Sequence, residues 1–216
     1  FALVMAIAVF VILDIEYPGL GWIRLLYLYP TTIDDDTLAA MAECEKVCKY
    51  IDLPLQHASN PVLQRMKRPG THQSYDRLLA KIRQRVPDVA LRTTFIVGFP
   101  GETERDVEEL ERFIEEQQFD HVGVFTYSHE EGTSAHQLAD DVPARLKTAR
   151  RARIMNLQKR IVRQQLKARV GRRMRALVDG PASEHELVLR ARLSSQAPDI
   201  DGKVIQPNLQ VQVTEG

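Results

Sequence analysis

The chain has 216 residues, 44% hydrophobic and 27% charged, with 29 basic and 29 acidic side chains and a formal net charge of zero. That composition excludes a disordered or fibrous chain and can bury one large or two small cores. Two cysteines, Cys44 and Cys48, and no signal-peptide layout point to a reducing compartment, the cytoplasm.

Phe1 to Leu13 are all apolar, but as a helix they reach only about 20 Å against the roughly 30 Å of a membrane core. They are expected to form a buried strand or helix, or the ragged end of a fragment, and residues 1–14 stay unassigned. No membrane partner is expected. Opening on Phe, the chain reads as part of a longer product.

Four strands are predicted at 22–28, 50–55, 91–97 and 121–127, each an apolar run rich in β-formers. Helices are expected between them. One covers 34–47, one covers 60–66 with Asn60 as cap and Pro61 at the first helical position, and one covers 75–86 until Pro87 stops it. The alternation of strand and helix gives an α/β fold with a parallel sheet.

"LRTTFIVGFPGETERDVEELERFI", residues 91 to 114, is the most explicit unit. A strand covered on both faces runs into a turn where Gly98 and Gly101 bracket Pro100. Thr103 then caps a helix whose third position is Asp106. In parallel α/β folds ligands bind at that end of the strands, although any βα unit also needs such a turn. The other strand ends carry Tyr29-Pro30, Gln56-His57 and Tyr127-Ser128-His129, so a polar rim is expected there. Arg92, early in a buried strand, is expected to face the barrel interior or a partner, since an unpaired buried charge is costly. Taken alone, His57 is more often a satisfied structural side chain than a proton carrier.

Cys44-x-x-x-Cys48 lacks the third thiolate of an iron–sulfur site, because position 51 is Ile, and no second pair completes a zinc site. Two buried thiols and no metal are expected.

From Pro143 to Val178 the chain holds 13 Lys and Arg and no acid. A helix is expected over 143–168, ended by Gly171. Its charge suits RNA or an acidic protein face, unless its arginines pair with acids elsewhere in the fold. Alternating runs at 174–178, 187–189, around 204 and at 209–213 then read as a small antiparallel β-domain, separated by Gly180-Pro181, Ala197-Pro198 and Pro207-Asn208.

"WIRLLYLYP", "KVCKYIDLPLQH", "VLQRMKRPGT", "LRTTFIVGFPGET", "VGVFTYSHEEGTSA" and "APDIDGKV" follow one another as in the second half of a radical S-adenosylmethionine methylthiotransferase, and the chain resembles that family over residues 15 to 213. The resemblance implies four parallel strands of a (β/α) barrel at 15–142, a basic linking helix at 143–170 and a TRAM-like β-domain at 171–216, cut short. It also implies S-adenosyl-L-methionine and two 4Fe-4S clusters in the full-length parent. Gln56, Arg92, Thr94, Gly98, Gly101, Glu102, Phe125 and Tyr127 would line the cofactor cavity. Arg163, Lys167, Arg169, Arg172 and Arg173 would meet a partner.

Gln56-His57, where the tRNA enzymes tend to have Gln-Ser, and "APDIDG" point to the members that methylthiolate an aspartate β-carbon of a small-subunit ribosomal protein. Adenosine in tRNA is the alternative substrate, and a non-catalytic module binding RNA or ribosomal protein is the alternative class. The family's three-cysteine loop has no counterpart here, so the chain by itself is expected to be catalytically inactive, as a fragment or a disrupted copy.

Overall fold

The computed structural model describes residues 23–182, 185–197, 200–202 and 204–207. The apolar opening segment and the run at 209–213 lie outside them. The chain divides into two units that meet at Val170 and Gly171.

The first unit holds a four-stranded parallel sheet in the order β1 (Ile23–Leu25), β2 (Val47–Gln56), β3 (Ala90–Val97), β4 (His121–Thr126). Its helices are α1 (Asp35–Glu43), α2 (Asn60–Arg65), α3 (His72–Arg85), α4 (Glu104–Gln117) and α5 (Ala144–Arg169). Parallel neighbours need crossovers, and each successive strand pair here is linked through at least one helix. β2 starts earlier than its apolar run suggests, because Val47 and Lys49 are half-buried at the sheet margin.

Helix starts follow local chemistry. Asp34 accepts from the Thr37 N–H at 2.8 Å. Thr71 and Ser74 form a capping box, which moves the start of α3 ahead of the expected Tyr75. Thr103 and Asp106 form a second one at α4, as the sequence predicts. Ser59 is the N-cap of α2 in place of Asn60, one position earlier than expected.

One face of the sheet packs on the helices. Phe95 of β3 meets Phe113 and Phe119 edge-on, with centroids 6.5 and 6.1 Å apart, and all three are fully buried. Burying each such ring contributes roughly 1.5–3 kcal/mol. The other face alternates with it: in β3, Arg92, Thr94 and Ile96 are only half-buried while Leu91, Thr93, Phe95 and Val97 are covered.

Both cysteines were expected to be buried. Cys48 is, but Cys44 is exposed, because it caps the C-terminus of α1 where the chain turns outward through Glu45 and Lys46. Neither forms a disulfide.

The second unit is a three-stranded antiparallel sheet, β5 (Ala176–Ala182), β6 (His185–Leu193) and β7 (Val204–Pro207). Gly180-Pro181, expected to separate strands, lies inside β5. There Gly180 has φ +123° and the register shifts, so the pair bends the strand as a bulge instead of ending it.

Among the described residues, no helix is long and apolar enough to cross a membrane.

Candidate functional site

The C-terminal ends of β2, β3 and β4 lie side by side because the strands are parallel: after a register shift near the end of β2, Gln56 stands beside Phe95, and Val97 stands beside Thr126. Beyond them opens a cleft of about 290 Å³, lined among others by Gln56, Arg68, Ile96, Phe99, Tyr127 and Ser128. Gln56 has φ +72°, a left-handed backbone that costs a non-glycine residue of order 1–3 kcal/mol and marks a position fixed by its surroundings. Phe99 and Tyr127 stack edge-to-face at 5.0 Å. Burial, then the carboxylates of Asp140 and Glu130, push the Tyr127 phenol above its ordinary value, so it is a protonated donor at neutral pH.

Below the cleft the open face of the sheet carries Arg92 and Thr94, with Phe125 exposed in register with Ile96. Arg92 Nη1 donates to Asp52 Oδ2 at 3.0 Å, and the Asp52 side chain is fully buried. Of the two surroundings expected for Arg92, the barrel interior or a partner, it has a partner: an acid one strand away, at the paired position of β2.

The glycine turn is held from behind. Gly98 has φ +76° and Gly101 φ +74°. Glu102 folds back so that both of its carboxylate oxygens accept from the Gly98 N–H at 2.9 Å. Arg150 of α5 donates to Glu102 Oε1 at 2.8 Å, and His57 Nε2 lies 3.4 Å from Oε2. His57 Nδ1 accepts from the Ser59 N–H at 2.9 Å, which places the ring proton on Nε2, facing the carboxylate. Lys147, one helical turn before Arg150, packs its stem where a Cβ on Gly98 would sit, 2.3 Å from its Cγ. Its ammonium pairs with Asp140 at 2.6 Å and lies 5.0 Å from the centre of the Tyr127 ring. Arg65 completes the clamp by donating to the carbonyls of Pro100 and Gly101 at 3.1 and 2.9 Å.

At the start of α4, burial pushes the Asp106 carboxyl up. Hydrogen bonds from Ser59 and Thr103, with His57 nearby, outweigh it and hold the group below the ordinary carboxylate range.

Of the residues singled out from sequence, Gln56 and Tyr127 meet in the cleft, and Arg92, Thr94 and Phe125 share the open face. Gly98 and Gly101 lie in the turn after β3, against Lys147 and Arg65, and do not line the cleft. Glu102 stands apart from these, 5% exposed on the far side of the turn. Phe99, Asp52, Lys147 and Arg150 were not anticipated. Asp52 had a visible signal, a lone acid in an apolar strand; Lys147 and Arg150 had none that set them apart within a basic run.

The basic helix is divided. Lys147 and Arg150 are buried as described, Arg151 donates to the Val124 carbonyl at 2.9 Å, and Arg153 pairs with Glu104 and Glu111. Arg169 reaches Asp120 at 3.0 Å. Arg163, Lys167, Arg172 and Arg173 are exposed.

Among the described residues no group of three His, Cys, Asp or Glu could hold a metal ion. The whole sequence has two cysteines, so these residues do not fit a three-thiolate iron–sulfur cluster.

The chain is 48% identical over 186 residues to the ribosomal protein uS12 methylthiotransferase RimO of Geobacter sulfurreducens, covering 86% of this chain and 42% of that protein. It is 50% identical over 186 residues to the RimO of Pelotomaculum thermopropionicum, with the same two coverages. The chain thus spans about two fifths of the length of the curated relatives it matches. Among solved structures, coproporphyrinogen III oxidase (HemN) from Escherichia coli, a radical SAM enzyme, aligns with a TM-score of 0.48 and 20% identity over 68% of this chain and 31% of that one. The model of the Radical SAM superfamily matches residues 5–114, and the chain belongs to that superfamily.

Proposed function

We propose that this chain is the cofactor-cradling and partner-binding part of a radical SAM methylthiotransferase that adds a methylthio group to an aspartate of a small-subunit ribosomal protein in the cytoplasm. The observation that carries the reading is the identity with RimO over 186 residues, which runs through both units. In this reading 15–142 is the C-terminal part of the barrel, 143–170 the linking helix and 171–216 a TRAM-like domain.

The cleft suits the adenosyl group of S-adenosylmethionine. It offers one amide at Gln56, the aromatic side chains of Phe99 and Tyr127, and the hydroxyl of Ser128, a set that a purine nucleoside can use. Arg92 and Thr94, on the open face, would bind a carboxylate or hydroxyl of cofactor or substrate, and Phe125 would flank the base. Gly98 and Gly101 shape the rim, and Glu102 acts through Gly98, holding that amide in place. When bound, the cofactor supplies a carbon radical after one-electron reduction by a cluster. This chain has no ligand set for that cluster or for a second one.

The test is mass spectrometry of the ribosomal protein uS12 from source cells with the gene intact and disrupted. A methylthio increment on an aspartate that disappears on disruption is expected. Unmodified uS12 in both, with loss of a methylthio group from tRNA adenosine, would assign the chain to the tRNA-modifying branch.

A further inference from the structure

The net charge is zero, so attraction to a polyanion must come from a local arrangement of cations. Helix α5 holds one. Its sequence contains no acid, and the structure sorts its cations by face. Lys147, Arg150, Arg151, Arg153 and Arg169 are turned to the first unit's turn, sheet and acids. Arg145, Lys159, Arg163 and Lys167 are exposed and, among the described residues, lie within ion-pair distance of no acid.

Helical periodicity puts these four on one stripe with Ala149, Ala152 and Asn156, all exposed. The stripe is about 33 Å long, and its last three cations are spaced by about 6 Å. Short uncharged side chains between the cations let a rigid backbone approach the helix closely.

We infer that this stripe docks the phosphate backbone of double-helical RNA. It has no aromatic side chain, so it lacks the stacking platform on which single strands are held. A protein partner would favour an aromatic or large apolar centre with charge at its rim, whereas this stripe consists of four cations, one amide and two alanines, and the larger exposed apolar groups, Leu166 and Val170, lie only at its C-terminal end. The choice of RNA over DNA rests on the ribosome-directed function proposed above; the charge pattern itself does not. The docking adds to that function a contact with the RNA around the protein substrate.

The test uses the 216-residue chain, a fluorescein-labelled RNA duplex of about 16 base pairs and anisotropy between about 50 and 200 mM salt. With three to four phosphates engaged, affinity should fall about 40- to 150-fold across that range. The combined variant Lys159→Gln, Arg163→Gln, Lys167→Gln should weaken binding about tenfold or more at low salt and flatten the log–log salt slope by about 2 to 3. A control removing the exposed Arg85, Arg105 and Arg112 from other helices loses the same charge and should bind as the parent does.

Equal losses in the control, no loss in the stripe variant, or no binding by the parent chain would overturn the proposal. So would displacement of the RNA by polyglutamate at equal charge, which would assign the stripe to an acidic protein. Tighter binding to a DNA duplex than to RNA, lost in the stripe variant, would contradict the ribosome-directed function while leaving the stripe a phosphate site.

Discussion

Arg150 of the basic helix and Glu102 of the glycine turn form a buried ion pair at 2.8 Å across 48 residues of sequence, with side chains 6% and 0% exposed. The same carboxylate takes the Gly98 N–H, so the helix fixes the turn through one acid. Arg150→Met leaves that charge buried with its cation gone and should cost about 3–5 kcal/mol in urea unfolding. Adding Glu102→Gln should recover part of the loss. A cost below about 1 kcal/mol would mean that the pair does not hold the turn.

Gly98 and Gly101 share a left-handed backbone but differ in what stands over them. A Cβ at Gly98 meets the Lys147 stem at 2.3 Å, whereas at Gly101 it meets the flexible Arg65 end at 3.3 Å. Both alanine variants incur about 1–2 kcal/mol of backbone strain. Gly98→Ala should lose at least about 1 kcal/mol more because α5 must shift as well. Equal melting temperatures for the two variants would contradict the packing of Lys147.

Asp106 predicts a pH dependence. Its folded pKa is depressed, so its contribution is fully present above the unfolded value near 3.8 and disappears as pH falls through the lower folded value. Asp106→Asn weakens the Thr103 capping box and should cost about 0.5–2 kcal/mol at neutral pH. The gap between parent and variant should hold steady from neutrality down to about pH 5 and close in stronger acid. A gap that widens on acidification would reverse the assignment.

Much of this was legible beforehand. The parallel order of strands followed from alternating periodicities, and the Thr103–Asp106 cap followed from two residues three apart. Glu102 was harder: an acid after a glycine turn reads as facing a ligand, and only the position of Arg150, far along the chain, shows it turned inward. The basic helix posed the same problem. Its ten cations share one sequence signature but lie on two faces, and which of them are neutralised depends on the acids of α4 and on the turn. Cys44 was misplaced because a helix end can point outward whatever its last residue prefers.

With Cys44 exposed at a helix end and Cys48 buried in β2, the chain has no three-thiolate site. Anaerobic incubation with iron, sulfide, dithionite and S-adenosylmethionine should therefore yield no 5′-deoxyadenosine above a protein-free control. Iron-dependent formation that scales with protein would show that the chain can assemble a cluster.

The most direct measurement is titration of the chain with S-adenosylhomocysteine while backbone amide shifts are followed by NMR. Saturable changes should cluster at Gln56, Phe99, Tyr127 and Ser128, around the cleft at the strand ends. Saturable changes confined to the cleft at the starts of α2 and α4, around Asn60, Arg65 and Arg105, or no change at any amide, would contradict the placement of the cofactor.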